Sequence, residues 1–542
     1  MKWNADHLPD DVEQLKQLLQ QQQLEIEKYA QLSQQVQDQL VREKQQHNKT
    51  QTRLAAIEEQ LRLLLHKRFG HSSEKVSPDQ LGFFDEAEAM ANDEVNQEEN
   101  PASAPESSVT IAAHQRKTSG RKPLPDFLPR VEVIHDLSEA EKICPHDGAK
   151  LQQIGTETSE QLDVIPAKIQ VIQHIRYKYA CPCCDQTIKQ ASLPAQPIPK
   201  SQASPGLLAH IAVSKYLDAL PLYRQAAMWQ RAEIDFDRTT LANWMIKVGA
   251  LLIPIINLMQ DKLLANPLIH CDETTVQVLK EPDKPVTSKS YLWVRVAGPP
   301  GQRIHLFDYD PSRSSQVPKR LLEGYHGILL TDGYEGYQSV IESQALVSAG
   351  CWAHARRKFD ECLKAQAKTA KQKSGKAQQG LAFIQMLYRV ERSMQDKPLI
   401  DDEKVAIRQT QSKPILTKMR AWLDKSLPQV PPKSLLGKAL HYLNNQWPKL
   451  IIFLDYGGVP LDNNVAENAI RPFVLGRKNW LFSTSQAGVK ASAAIYTVVQ
   501  TAKVNGLEPY TYLKNVLTEI PNAQTVCDIE KLLPFKSEQL AD

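Results

Sequence analysis

The stretch PLDNNVAENAIRPFVLGRKNWLF, residues 460–482, sets one acid, Glu467, behind two asparagines and ahead of Arg471, Arg477 and Lys478. Such a border of amides and cations suits a carboxylate that holds a metal ion beside a phosphate-bearing partner. Two aspartates offer the same chemistry. Asp272 lies in the apolar run PLIHCDETTVQVL, and Asp332 follows the run ILLT and precedes Gly333. Ionised acids are rarely buried without a partner, and a divalent cation is the partner that unites several of them. Two such ions activate an attacking oxygen and stabilise a leaving one in phosphoryl transfer. Glu273 and Glu335 are neighbouring acids that spacing alone does not separate from this set.

Strands and helices must position these groups. PLIHCDETTVQVL, SYLWVRVAG and RIHLFDYD are consecutive strand-like runs. The helical SQVPKRLLEGY then leads to a fourth strand, HGILLTDGY, which makes an α/β core. Asp272 lies in the first of these runs and Asp332 just past the fourth, each in or at the end of a strand, and open α/β sheets gather ligands at strand ends. Asp462, Asn463 or Asn464 can cap a helix that carries Glu467 in its first turns, with Arg471 on the same face. Upstream, PLYRQAAMWQRAE and DRTTLANWMIKVGALL form a helical pair across a short turn, the second capped at Asp237 or Thr239. The pair is either a helix-turn-helix or plain packing.

Residues 12–64 keep a seven-residue register. Val12, Leu19, Ile26, Leu40, Leu54 and Leu61 share one position, and Leu15, Tyr29, Val36, Ile57 and Leu64 the other. This is a coiled-coil pattern, weakest at Glu43, His47 and Thr50. Residues 85–106 are acidic and poor in large apolar side chains, which is a linker composition; the basic HQRKTSGRKPLP follows. The 542 residues carry 42% hydrophobic and 23% charged residues and a formal net charge of +3, ordinary for a globular chain with several domains. The longest apolar run, LLIPIINLM, is too short for a membrane span, and the start lacks the order of a signal peptide, so a cytoplasmic protein is expected. Eight cysteines in such a chain make no disulfide framework, yet four fall between 144 and 184. Cys144, His146, Cys181 and Cys184 would complete a tetrahedral zinc site; an iron–sulfur cluster or free thiols are the lesser alternatives.

CDETTVQVL, LLTDGYEGY, CWAHARRKF and LDNNVAENAIRPFVLGRKNWLF, with upstream RFGHSSEK and SEQLDVIPAKIQVI, resemble the IS66 family of insertion-sequence transposases, which are DDE-type recombinases. The resemblance runs along nearly the whole chain. It implies a multidomain α/β protein with a ribonuclease-H-like catalytic core interrupted by a helical insertion, an N-terminal coiled coil and a small zinc-binding β module. The implied boundaries are a coiled coil over 1–70, a linker over 71–125, the zinc module over 126–195 and a helical region over 196–265 that is a candidate for DNA binding. The core then occupies 266–360 and 456–500 around an insertion over 361–455, with a tail over 501–542.

In that reading Asp272, Asp332 and Glu467 bind two Mg²⁺ ions, with Mn²⁺ as a substitute. His354, Arg356, Arg357, Lys358, Arg471, Arg477 and Lys478 meet DNA phosphates. Zinc in the module is structural, although Asp147 stands where the family often has a last cysteine. The implied reaction is cleavage at transposon ends followed by attack of the freed 3′-hydroxyl on target DNA. A homo-oligomer formed through the coiled coil, accessory proteins of the same element and a bacterial, nucleoid-associated location are implied with it. A metal-dependent nuclease without strand transfer, or a DNA-binding protein without activity, are the rival readings.

Overall fold

The structure, a computed structural model, describes residues 12–69, 169–180, 188–365, 375–395 and 397–535. The chain divides into two units, residues 97–194 and the remainder. In the first of these, extended chain leads to two short antiparallel strands, β1 (Lys178–Ala180) and β2 (Ile188–Gln190), with Tyr179 opposite Lys189. Arg176 Nη1 donates to the Ala191 carbonyl at 3.3 Å and ties their ends. Cys144, His146, Cys181 and Cys184 lie outside the described residues, as do the acidic and basic linker segments.

The remainder begins with a single helix, α1 (Val12–Phe69). It runs unbroken through Glu43, His47 and Thr50, where the heptad pattern is weakest. Leu19, Ile26, Tyr29, Val36 and Ile57 are more than half exposed along it. Its far end is docked: Leu63 is buried, and Glu59 Oε2 accepts the Leu435 N–H at 3.0 Å. Helices α2 (Pro205–Tyr216), α3 (Leu222–Arg231), α4 (Arg238–Leu251) and α5 (Ile253–Leu264) come next. Asp237 caps α4 as its sequence predicts, accepting the Thr240 N–H at 2.6 Å. No single helix among the described residues is long and apolar enough to cross a membrane.

The acid-bearing runs form one mixed sheet. Strands β3 (Leu268–Lys280), β4 (Lys289–Ala297) and β5 (Ile304–Asp310) are antiparallel neighbours. After helix α6 (Gln316–Leu321), strand β6 (Ile328–Thr331) adds parallel to β3. Helix α7 (Gln338–Ser343) then leads to β7 (Val347–Gly350), parallel to β6, so the order is β5-β4-β3-β6-β7. All four β6 side chains are buried, as a strand covered on both faces requires. Ile328 and Leu330 enter one hydrophobic cluster, whereas Ile269, Cys271 and Leu329 enter the other.

The first of these clusters is built mainly by helices that follow the sheet: α8 (Trp352–Lys364), α9 (Lys376–Gln395), α11 (Lys413–Ser426) and α12 (Leu435–Leu450), while α10 (Asp401–Ile407), between α9 and α11, buries no side chain. Trp352, Phe359, Leu387, Met419 and Leu443 are its buried centre. The second cluster holds α13 (Asn464–Trp480) and, after the three-residue strand β8 (Ser483–Ser485) that pairs with the far half of β3, helix α14 (Gln486–Val504).

Helix α14 covers the open edge of the sheet. Thr497 and Thr501 accept the N–H groups of Phe307 and His305 at 2.9 and 3.1 Å, and Asn505 bonds both the N–H and the carbonyl of Arg303 at 2.8 Å. Four helical residues advance about 6 Å and two strand residues about 6.7 Å, so the repeats match. Edge groups that would invite another strand are thereby paired within the chain. At Gly249 of α4 an added Cβ would lie 2.7 Å from the Ala491 backbone, so the two helices touch through glycine.

Where a tail was expected over 501–542, α14 continues into α15 (Pro509–Glu519) and α16 (Val526–Glu530). Leu513, Val516 and Leu517 of α15 are fully buried, and Asn505 also donates to the Pro534 carbonyl at 2.8 Å. The apolar spacing of YLKNVL is a helical stripe too short to stand out by itself.

Candidate active site

Register brings the two aspartates level. Strand β3 pairs with β6 at a constant offset: Leu268 with Ile328, Ile269 with Leu329 and His270 with Leu330. Two steps further the same offset aligns Asp272 with Asp332. Residues level on adjacent parallel strands face the same side. By the alternation just described, that side is the one of Leu330 and the helices α8–α12. Glu273 faces the other side. Its carboxylate accepts from Arg313 at 2.5 and 2.8 Å and from the Tyr337 hydroxyl at 2.9 Å. Burial, and next the nearby Asp332 charge, push its pKa up against the pull of Arg313. Glu335 is exposed in the turn Glu335–Tyr337.

Asp332 ends β6 in a tight turn. Its Oδ1 accepts the Tyr334 N–H at 2.8 Å, across Gly333 at φ +95°. A side chain at Gly333 would be strained by that φ and would press on the Gln446 side chain, 3.0 Å from an added Cβ. The Tyr442 hydroxyl donates to the Asp332 carbonyl at 2.8 Å. Tyr442 and Gln446 sit one turn apart on α12, so this helix backs the turn. Asp272 Oδ1 accepts the Glu273 N–H at 2.8 Å.

Glu467 arrives in the first turn of α13. Its Oε1 is 3.5 Å from His354 Nδ1 and its Oε2 is 3.7 Å from Arg357 Nη2, both on α8. Asp332 reaches the same neighbours. Burial and then the Arg357 charge push the His354 imidazole down to about 4, while Asp332 opposes them. Burial raises the Tyr442 phenol, and Cys351, Asp332 and Glu467 add to the rise against Arg357. His354 and Tyr442 therefore feel both acids.

The helix is strapped to the sheet at both ends. Asn463, fully buried, occupies the N-cap position without capping through its side chain. Its Nδ2 instead donates to the Cys271 carbonyl at 2.8 Å, its Oδ1 faces His270 Nδ1 at 3.0 Å, and its N–H donates to Cys351 Sγ at 3.3 Å. Asp462 accepts the Asn464 N–H at 3.2 Å and the Tyr388 hydroxyl at 3.0 Å. At the far end Arg477, 6% exposed, donates to the Thr275 carbonyl and to the hydroxyls of Thr274 and Thr275 at 3.4 and 3.3 Å.

The cations expected to meet phosphate thus divide. His354, Arg357 and Lys358 border the acids, half-buried, with Lys358 Nζ 4.7 Å from the Tyr442 ring centre. Arg471 and Lys478 are half-buried on α13. Arg356 and Arg477 are buried. Tyr442 and Gln446 carry no sequence signal beyond their spacing of four in the helical run LLGKALHYLNNQWPKL. Asn463 was visible only as a possible cap. Cys351 joins His354 and Glu467 in a group whose ligand atoms lie within 4.8 Å of one another.

Residues 200–491 match the family model described as Transposase IS66 family. Residues 141–185 match the zinc-finger binding domain of transposase IS66, 56–133 the model named Transposase C of IS166 homeodomain, and 497–535 the IS66 C-terminal element. Among similar proteins, the uncharacterized protein y4qI of Sinorhizobium fredii is 31% identical over 97% of each chain. The uncharacterized protein y4hP of the same organism is 31% identical over 89% of each, and y4jD is 32% identical over 77% of this chain and 82% of its own. No solved structure matches.

Burial holds the imidazoles of His270 and His305, like that of His354, down at about 4 from an ordinary 6.5. Between those values the unfolded chain binds protons that the fold refuses, so the stability these rings allow is full above pH 6.5 and falls as pH drops through the window, their own contribution to the loss levelling off below 4. His270 and His305, the two buried rings, each account for on the order of 3 kcal/mol of that loss. Denaturant unfolding across pH 7 to 4 should show this slope, reduced by about one proton in His270→Gln. An unchanged slope in the variant would contradict it.

Proposed function

The chain belongs to the IS66 family of transposases, and from that premise we propose that it cuts transposon ends and joins their 3′-hydroxyls to target DNA by DDE chemistry. The observation that carries the proposal is the β3–β6 register, which carried two residues past His270–Leu330 sets Asp272, within β3, level with Asp332, just past β6, with Glu467 on neighbours shared with Asp332. We read the sheet, three antiparallel strands followed by two parallel ones, as ribonuclease-H-like, interrupted by helices α9–α12 before its last acid.

Three carboxylates make an all-oxygen donor set that fits magnesium or manganese. Asp272, Asp332 and Glu467 would hold the ions, which when bound favour both the attacking and the leaving oxygen of an in-line displacement. The chain's own residues do the rest. Arg357 and Lys358 of α8, with Arg471 and Lys478 of α13, offer charge to the DNA backbone. His354, neutral at pH 7, is placed to donate or accept a hydrogen bond rather than to add charge. Asn463 and Arg477 fix α13, and Gly333 lets the chain turn at Asp332. No protein–DNA covalent bond is needed, since water and then the 3′-hydroxyl are the nucleophiles. In the N-terminal module Cys144, His146, Cys181 and Cys184 would hold a structural zinc, supported by the family match over 141–185.

The test is strand cleavage and joining on a labelled duplex carrying the ends of the element, with Mg²⁺. Cleaved and joined products are expected, with Glu467→Gln retaining DNA binding but losing on the order of 10³-fold or more in rate. Cleavage without joining favours the nuclease. Wild-type rates in Glu467→Gln would overturn the triad.

Helix α1 supplies the means of pairing two bound ends. Its a- and d-type residues are exposed over most of its length, as expected of a seam completed by a second copy. Sedimentation equilibrium should give a dimer or larger, shifted toward monomer by Ile26→Lys with Ile57→Lys. A monomeric parent protein would contradict self-association through α1.

A further inference from the structure

One group of side chains at the site has the wrong chemistry for magnesium. Cys351 at the N-cap of α8 and His354 in its first turn form a Cys-x-x-His pair, and Glu467 joins them from α13. One ligand atom from each lies within 4.8 Å of the other two. The 3.5 Å between His354 Nδ1 and Glu467 Oε1 is close to the roughly 3.3 Å that separates two ligands bound tetrahedrally at about 2.0 Å. Cys351 Sγ is fully buried and receives the Asn463 N–H at 3.3 Å, a bond that would orient a thiolate toward an ion. Hard cations ignore thiols; sulfur, imidazole and one carboxylate together suit zinc.

We propose that Cys351, His354 and Glu467 form a binding site for a thiophilic divalent cation, zinc foremost, whose occupation withdraws Glu467 from the aspartates. Binding transfers the Cys351 proton to solvent and involves no redox change. Thiolate and carboxylate neutralise the dication, so Arg357 keeps its place at Glu467 Oε2. Three protein ligands leave a fourth position for water. That zinc then brakes DNA cleavage rests on the catalytic reading of Glu467; the binding itself does not.

Cobalt(II) reports the site by spectrum. The full chain with Cys181→Ser and Cys184→Ser, which removes the thiol pair of the other zinc site, is titrated with Co²⁺. A sulfur-to-cobalt charge-transfer band and strong tetrahedral visible bands should appear, and zinc should abolish them. Adding Cys351→Ser should remove the charge-transfer band. Adding His354→Gln instead should keep that band but weaken binding by about tenfold or more. If Cys351→Ser does not melt cooperatively, the His354→Gln titration and X-ray absorption at the cobalt edge decide between a sulfur ligand and none.

No band in the parent, or the same band with and without Cys351, overturns the site. Micromolar zinc should also suppress Mg²⁺-dependent cleavage in the parent and not in the Cys351→Ser protein. Zinc-insensitive cleavage in the parent overturns the brake. Absence of cleavage in every protein counts against the transposase reading and leaves the cobalt result to judge the site.

Discussion

A single buried amide joins the parts of the site. Asn463 contacts β3 through His270 and the Cys271 carbonyl, contacts the start of α8 through Cys351, and begins α13 by accepting the N–H groups of Ala466 and Glu467 at 3.0 and 3.2 Å. Each bond satisfies a group that has no water to turn to, and leaving such a group unpaired costs about 1–3 kcal/mol. Glu467 is therefore one helical turn from an anchor fixed directly beside Asp272. Its separation from the aspartates along the chain has little bearing on its place in space.

The surroundings of the acids balance their charge. Like charges held close raise one another's energy, and burial raises it further. Glu273 shows the cost in its raised pKa, even with Arg313 and Tyr337 bonded to it. On the opposite side of the sheet, Arg357 and His354 face Glu467, and Lys358 lies over Tyr442. With His354 neutral, Arg357 and Lys358 are the cations beside these acids, and in the proposed reading that leaves room for a dication and a phosphate to complete the balance. The same burial makes the imidazoles neutral, so acid weakens the fold and the site by one cause.

Much of this was legible in the sequence. Asp272 and Asp332 stood out because each follows an apolar run, and strand ends are where such acids gather. The β6 run ILLT reads as a strand, and Asp237 or Thr239 before a helical stripe as a cap, of which the structure uses Asp237. Register was not legible. Nothing in the local pattern says that residue 268 pairs with 328, and that pairing decides which acid on β3 faces Asp332. Arg477 misled for a related reason: its neighbours Arg471 and Lys478 are half-buried, but its own place on the helix turns it toward Thr275. Asn463 has the composition of a cap, and its use as a strap depends on a strand residue that lies 192 residues earlier in the chain. The helices that follow α14 are built on contacts with α2 and α5 that no short window contains.

The central claim is that Asp272, Asp332 and Glu467 converge on shared metal ions. Crystals grown with Mn²⁺ and measured for anomalous scattering test it directly. Manganese bound by oxygens of all three carboxylates is the expected result. Manganese held by Asp272 and Asp332 while Glu467 stays on His354 and Arg357, or ions bound at Glu273 instead, would contradict it.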